Sequence, residues 1–276
     1  MNAERAFEEY TEDNPEYFPE ISEMNIVGGG CRLFGYLLKP DKRYKGPYPT
    51  VITSHGFPGY TTNNDIELAL MRMGCVVIHM NHRGAWGSEG KYLFTNLKAD
   101  LIAIAKWAHN NAIADQYEID VDNIFLLGHS MGGQTVLNAA KDLDFINGVV
   151  AMAAYDIGAA FGNHMEKELF LMIENEGQCL NMDSASEVYE NALNNREELS
   201  ILNRYDALVG KNVLLIAGTH DKIAPPSKML VPLAERLKKA GGNIEYEKIA
   251  GNHSFLGQRM KLTEIVGAWI QKQYVG

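Results

Sequence analysis

Ser130 stands where a serine can become a nucleophile. It lies in Gly128-His129-Ser130-Met131-Gly132, between the apolar run Ile124-Phe125-Leu126-Leu127 and a run of helical character from Gln134 to Lys141. Strand, tight G-x-S-x-G turn and helix together make a nucleophile elbow, which lifts the hydroxyl out of the sheet. A side chain at Gly128 or Gly132 would collide where strand and helix cross. The serine then sits at a helix N-terminus, where free N–H groups and the helix dipole favour developing negative charge. Such a string also arises by chance in Gly-rich loops, so the weight falls on its surroundings.

A serine hydroxyl is a weak nucleophile near neutral pH. It needs a base within hydrogen-bond reach and a group that orients the base. Two downstream residues fit. Asp221 closes the segment Leu214 to Asp221, just past the end of one apolar run. His253, in Gly251-Asn252-His253-Ser254-Phe255, comes just after another. Loops beyond the carboxyl ends of parallel strands share one crevice, so Ser130, Asp221 and His253 are expected to converge as nucleophile, orienting acid and base. Asp156, just past the preceding strand, is the rival for the acid. The oxyanion requires two preorganised N–H donors. Met131 N–H, directly after Ser130, is one, and Phe57 in His55-Gly56-Phe57-Pro58-Gly59 is the other, because Pro58 has no N–H. His55 reads as a loop-fixing residue. His129 is expected to turn away from the attack site. Arg83 is expected in a structural ion pair, with Trp86 a lesser candidate for substrate contact.

These residues require a frame of alternating strands and helices. Strands are expected at Glu23–Val27, Cys31–Lys39, Pro49–Ser54, Cys75–Met80, Asn123–Gly128, Gly148–Ala153, Asn212–Ala217 and Ile244–Ile249. Several are continuous apolar runs, as in parallel strands buried on both faces. The first two form a hairpin about Gly28-Gly29-Gly30. Helical periodicity is clearest from Leu97 to Ala108 and from Leu262 to Ile270. Between the strands ending near Ala153 and starting at Asn212 lie more residues than a crossover needs. Phe161, Met165, Leu169, Met172 and Ile173 recur there at helical spacing, and Ser184 with Glu187 resembles a capping box. Residues 156–205 are therefore expected to form a helical cap inserted into a core domain of 1–155 and 206–276. Its apolar stripe either packs on that core or lines an acyl or aromatic pocket.

The chain has 276 residues, 46% hydrophobic and 22% charged, ordinary for a globular enzyme. A net charge of −10 argues against nucleic acid as a partner. Much of the acidic excess lies between Glu4 and Glu23, expected to be a solvated arm. Three widely spaced cysteines suggest neither a disulfide framework nor a metal site, and Cys75 reads as a buried small hydrophobe. No signal peptide or membrane span is visible, so a cytoplasmic location is expected. Oligomeric state is open.

Taken together, GHSMGG at 128–133, HGFPG at 55–59, the Arg-Gly-x-x-Gly-Ser loop from Arg83, Gly218 to Asp221 and Gly251 to His253 resemble the α/β-hydrolase superfamily from about residue 31 onward. Within it the chain is similar to feruloyl and cinnamoyl esterases and to the catalytic domain of prolyl-oligopeptidase-type serine peptidases. The resemblance implies an α/β fold with a mostly parallel eight-stranded sheet, a cofactor-free Ser130–Asp221–His253 triad, and an oxyanion hole at Phe57 and Met131. Its His-Gly-Phe loop is especially like that of the cinnamoyl esterases. Pro232, inside the run Ser227–Lys239, departs locally from the pattern and is expected to start or kink that helix. The implied activity is hydrolysis of small-molecule carboxylic esters, short acyl or aromatic, through an acyl-enzyme. The alternatives are a thioesterase or acyltransferase, a peptidase-like amidase, or a silent ligand-binding fold. The peptidase reading is weakened because no room is seen for an N-terminal propeller.

Overall fold

A computed structural model describes residues 1–11, 13–60 and 63–274. Among them one sheet of eight strands runs through the molecule, in the order β1-β2-β4-β3-β5-β6-β7-β8. The strands are β1 (Glu20–Gly28), β2 (Cys31–Lys39), β3 (Tyr48–Ser54), β4 (Val76–Met80), β5 (Ile119–His129), β6 (Ile146–Met152), β7 (Asn212–Gly218) and β8 (Ile244–Ile249). Strand β2 is antiparallel to both neighbours, and from β4 onward every pairing is parallel. All eight expected strands are present. Strand β5 begins four residues earlier than expected, at Ile119 instead of Asn123, because Ile119 pairs with Tyr48 before the register shifts. The β1–β2 turn is two residues, Gly29 and Gly30, both at positive φ, as the twist of a tight hairpin demands.

The apolar runs explain the layering. Alternate residues of a strand point to opposite faces. On one face Ile52, Val76, Ile78, Leu126 and Val149 pack under helices α2 (Phe94–Ala108), α4 (Met131–Ala140) and α9 (Val231–Lys239). On the other, Val51, Val77, Phe125, Leu127 and Val150 pack under α1 (Asn64–Arg72) and α10 (Arg259–Gln273). Full burial of each such side chain is worth about 1.5–3 kcal/mol, so the strand ends that carry the polar residues are held rigidly. Pro232 falls in the first turn of α9, where its missing N–H costs nothing, so it starts the helix without a kink. Cys75 is fully buried as expected.

The N-terminal segment departs from expectation. A short 3₁₀ turn, Ala3–Phe7, docks on α1 and α10 instead of extending into solvent. Ala6 is buried, Asn2 N–H donates to the Met73 carbonyl, and Arg72 Nε donates to the Ala6 carbonyl.

Between β6 and β7 the chain forms α5 (Ile157–Gly162), α6 (Glu166–Glu176), α7 (Ala185–Asn194) and α8 (Arg196–Leu199), with α3 (Asn111–Tyr117) preceding β5. The apolar stripe is split between α5 and α6. Leu169 and Ile173 are buried in a cluster that also holds Tyr92, Phe94 and Met131. At α7 the Ser184 hydroxyl accepts from Glu187 N–H at 3.0 Å, the serine half of a capping box. No helix of the described residues is long and apolar enough to cross a membrane.

Candidate active site

Strand β5 turns into α4 at Ser130, which adopts φ 56° and ψ −122°, a region costly for a residue with a Cβ. Hydrogen bonds hold it there. Ser130 N–H donates to the Met152 carbonyl at 2.9 Å, and the Ser130 carbonyl accepts from Gln134 and Tyr155 N–H at 3.2 and 3.0 Å. A Cβ at Gly128 would lie 2.2 Å from the Gly132 carbonyl oxygen, and one at Gly132 would lie 2.1 Å from that of Ser54. Both contacts are backbone, so neither position admits a side chain.

His253 and Asp221 reach Ser130 from the adjoining strand ends. The loops after β7 and β8 are tied by Thr219 N–H to the Ile249 carbonyl (2.9 Å) and His220 N–H to the Gly251 carbonyl (3.0 Å). Ser130 Oγ lies 2.9 Å from His253 Nε2. The opposite ring nitrogen, Nδ1, donates to Asp221 Oδ2 at 2.8 Å. The other carboxylate oxygen of Asp221 accepts from Ile223 N–H (2.9 Å) and Ala224 N–H (2.8 Å), which fixes the carboxylate plane. This arrangement lets the imidazole accept a proton from Ser130 while the carboxylate stabilises the resulting cation.

Asp156 is absent from this line. It is the N-cap of α5, accepting from Ala159 N–H at 3.1 Å, while its second oxygen accepts from Ile201 N–H at 3.2 Å and Ser200 Oγ at 3.3 Å. It is fully buried, and burial raises its carboxyl to about 6.

His129 does not turn away from the site. The ring Nε2–H donates to the His253 carbonyl at 2.8 Å, with the two ring centres 4.9 Å apart. Burial first, and the neighbouring His253 second, push it down to about 3, so it is neutral. The side chain braces the His253 loop from behind.

The loop after β3 passes over the serine. A Cβ at Gly56 would lie 3.2 Å from Ser130 Cβ. His55 holds this loop: Nδ1–H donates to the Gly56 carbonyl at 2.7 Å, and Nε2 accepts from His82 N–H at 3.3 Å. Burial lowers His55 to about 4, so it too is neutral. Among the described residues neither Phe57 N–H nor Met131 N–H has a protein acceptor. The Phe57 ring packs against Tyr92 and Phe94, at 5.7 and 5.6 Å between centres. The Met131 sulfur accepts from Tyr92 OH at 2.7 Å. Trp86, considered above for substrate contact, donates its Nε1–H to the Pro58 carbonyl at 2.7 Å. Arg83 makes the expected ion pair, Nε to Asp100 Oδ1 at 2.5 Å.

Ser130 and His253 open on a cavity of about 110 Å³, walled by Gly56, Phe57, Met172 and Ile223, with Tyr60 and Glu176 at its border. A wider cleft of about 380 Å³ adjoins it, sharing Tyr60, His129 and Ser254. Glu176, Tyr60 and Ile223 carried no sequence signal of their own. Only Glu176 had an indirect one, since it lies four residues after Met172 on one helix face. No group of three or more His, Cys, Asp or Glu among the described residues could hold a metal ion.

Strand order, elbow and buried parallel strands define an α/β-hydrolase. The prolyl oligopeptidase family model matches residues 62–275. Solved structures similar to this chain include a bacterial brefeldin A esterase described as a homologue of human hormone-sensitive lipase. That match has TM-score 0.70 and 18% identity, covering 97% of this chain and 81% of that one. Est1E from Butyrivibrio proteoclasticus matches with TM-score 0.63 and 19% identity, covering 91% and 98%. The Pyrococcus horikoshii acylaminoacyl peptidase matches with TM-score 0.69 and 16% identity, covering 94% of this chain and 43% of that one. At these identities the structures share the fold. A search of curated proteins gives no significant match. The chain belongs to the prolyl oligopeptidase family, a family of serine hydrolases.

Proposed function

We propose that this chain hydrolyses carboxylic esters through an acyl-enzyme on Ser130. The observation that carries the reading is the unbroken hydrogen-bonded line from Ser130 through His253 to Asp221, ending in a cavity. Ser130 Oγ attacks the ester carbonyl as His253 Nε2 takes its proton. The oxyanion is received by the N–H groups of Phe57 and Met131. His253 returns the proton to the departing alcohol, then activates a water that releases the acid. Helices across 156–205 act as the cap of this site. Short acyl or aromatic esters suit a small cavity with Phe57, Met172 and Ile223 in its walls. One of the similar structures, the brefeldin A esterase, is an esterase by name, which supports the same reading.

The family match favours a second reading, cleavage of peptide or amide bonds by the same residues. A fluorophosphonate probe tests the shared machinery: wild type labels and Ser130→Ala does not. A panel of nitrophenyl esters, hydroxycinnamate esters, acyl thioesters and aminoacyl amides separates the two readings. Turnover of amides with none of esters overturns the ester assignment.

A further inference from the structure

The cavity at Ser130 is bordered by a carboxylate that the hydrolytic chemistry leaves unused. Glu176 ends helix α6, is exposed to solvent, and lines the cavity together with Met172, one turn earlier on the same side of the helix. Tyr60 OH donates to Glu176 Oε2 at 2.9 Å, which orients the carboxylate beside the oxyanion loop. Its other oxygen, Oε1, accepts no hydrogen bond from the described residues. Neither lysine nor arginine lines the cavity. In the adjoining cleft the charge of Arg259 is already matched, by two bonds to Asp65 at 2.5 and 2.7 Å. Asp221 and Asp156, the other carboxylates near the strand ends, have both oxygens engaged. Glu176 therefore supplies unmatched negative charge at the cavity, reinforced by the negative end of the α6 dipole.

We propose that Glu176, oriented by Tyr60, selects substrates carrying a positively charged group, an ammonium or similar cation, on the portion held in this cavity. This rests on the hydrolase reading above. Glu176 is a specificity residue that meets the substrate's charge, and Tyr60 is a positioning residue that acts through it.

The test compares two nitrophenyl esters of one shape, that of trimethylammonio-butyrate and the uncharged isostere in which carbon replaces nitrogen. Wild type should favour the cation in kcat/KM by about fivefold, the scale of a partly solvated charge pair, and the preference should shrink as salt is added. Glu176→Gln should abolish the preference while holding turnover of the neutral ester within about twofold, which also reports on folding. Tyr60→Phe should weaken it, and Glu176→Lys should reverse it. Equal rates on the two esters in wild type, or an unchanged ratio in Glu176→Gln, overturn the proposal. If the protein labels with fluorophosphonate yet shows either result, the hydrolase reading stands and the cation reading falls. If it neither labels nor turns over either ester, the hydrolase reading falls and takes this inference with it.

Discussion

Asp221 and Asp156 stand just past adjacent parallel strands, β7 and β6, at the same edge of the sheet. Both are buried, and each accepts three hydrogen bonds from the protein. They differ in the backbone immediately downstream. After β6 a helix starts at once, so Asp156 gives one oxygen to the first turn of α5 and the other to the segment at Ser200–Ile201. After β7 the chain makes a turn without a helix. There Asp221 satisfies two backbone N–H groups with a single oxygen and keeps the second for His253. Burial and strand-end position therefore do not by themselves bring a carboxylate into line with His253. An oxygen left over by the local backbone does.

The contrast can be broken most forcefully at the groups Asp221 serves. Ser130→Ala or His253→Ala should reduce kcat roughly 10⁶-fold with the fold retained; near wild-type turnover in either purified variant sinks the mechanism. Next, Asp221→Asn should lower kcat about 10⁴-fold, because the amide favours the wrong imidazole tautomer. Asp156→Asn should stay within a few-fold of wild type, and steady-state kinetics showing the opposite ranking would move the acid to β6.

Stability should order the pair the other way. Asp156→Ala removes the α5 cap and leaves the buried Ile201 N–H unpaired, a loss of about 2–4 kcal/mol. Urea unfolding checks this, and an unchanged midpoint refutes it. The smallest effect is in the pH profile. Because burial raises the Asp156 carboxyl to about 6, the folded protein holds a proton that the unfolded chain gives up near 3.9. That contribution, on the order of 2–3 kcal/mol, is complete below about pH 3.9 and lost as the pH rises through about 6. Asp156→Asn does not titrate, so its stability relative to wild type should climb across that window. Parallel stability profiles of the two proteins would contradict the shift.

Much of this was legible in the sequence, for local reasons. A strand buried on both faces must be a continuous apolar run, so β3 to β7 announced themselves. Gly128 and Gly132 mark the elbow because a Cβ at either would lie only 2.2 or 2.1 Å from a backbone carbonyl oxygen. The three side chains in hydrogen-bonding line stand just past strand ends, where topology brings loops together. The hidden part depends on contacts distant in the chain. Tyr60 meets Glu176 across 116 positions and His129 meets the His253 carbonyl across 124. No periodicity encodes such pairings. Chain order favoured Asp221 over Asp156, but the physical reason for the difference was hidden, because it turns on which lone pairs the downstream backbone consumes. The acidic N-terminal segment misled through composition: Ala6 together with hydrogen bonds from Asn2 N–H to the Met73 carbonyl and from Arg72 Nε to the Ala6 carbonyl seats its first turn against α1 and α10.

The bond from the Trp86 indole to the Pro58 carbonyl gives the loop after β3 its own optical reporter. Of the three tryptophans, Trp107 and Trp269 sit on helices α2 and α10, packed against the two faces of the sheet. Trp86 is 40% exposed and tethered directly to the loop that passes over Ser130. Movement of that loop will therefore change the polarity around this one fluorophore, and its emission can track the loop before any bond in a substrate has been cut.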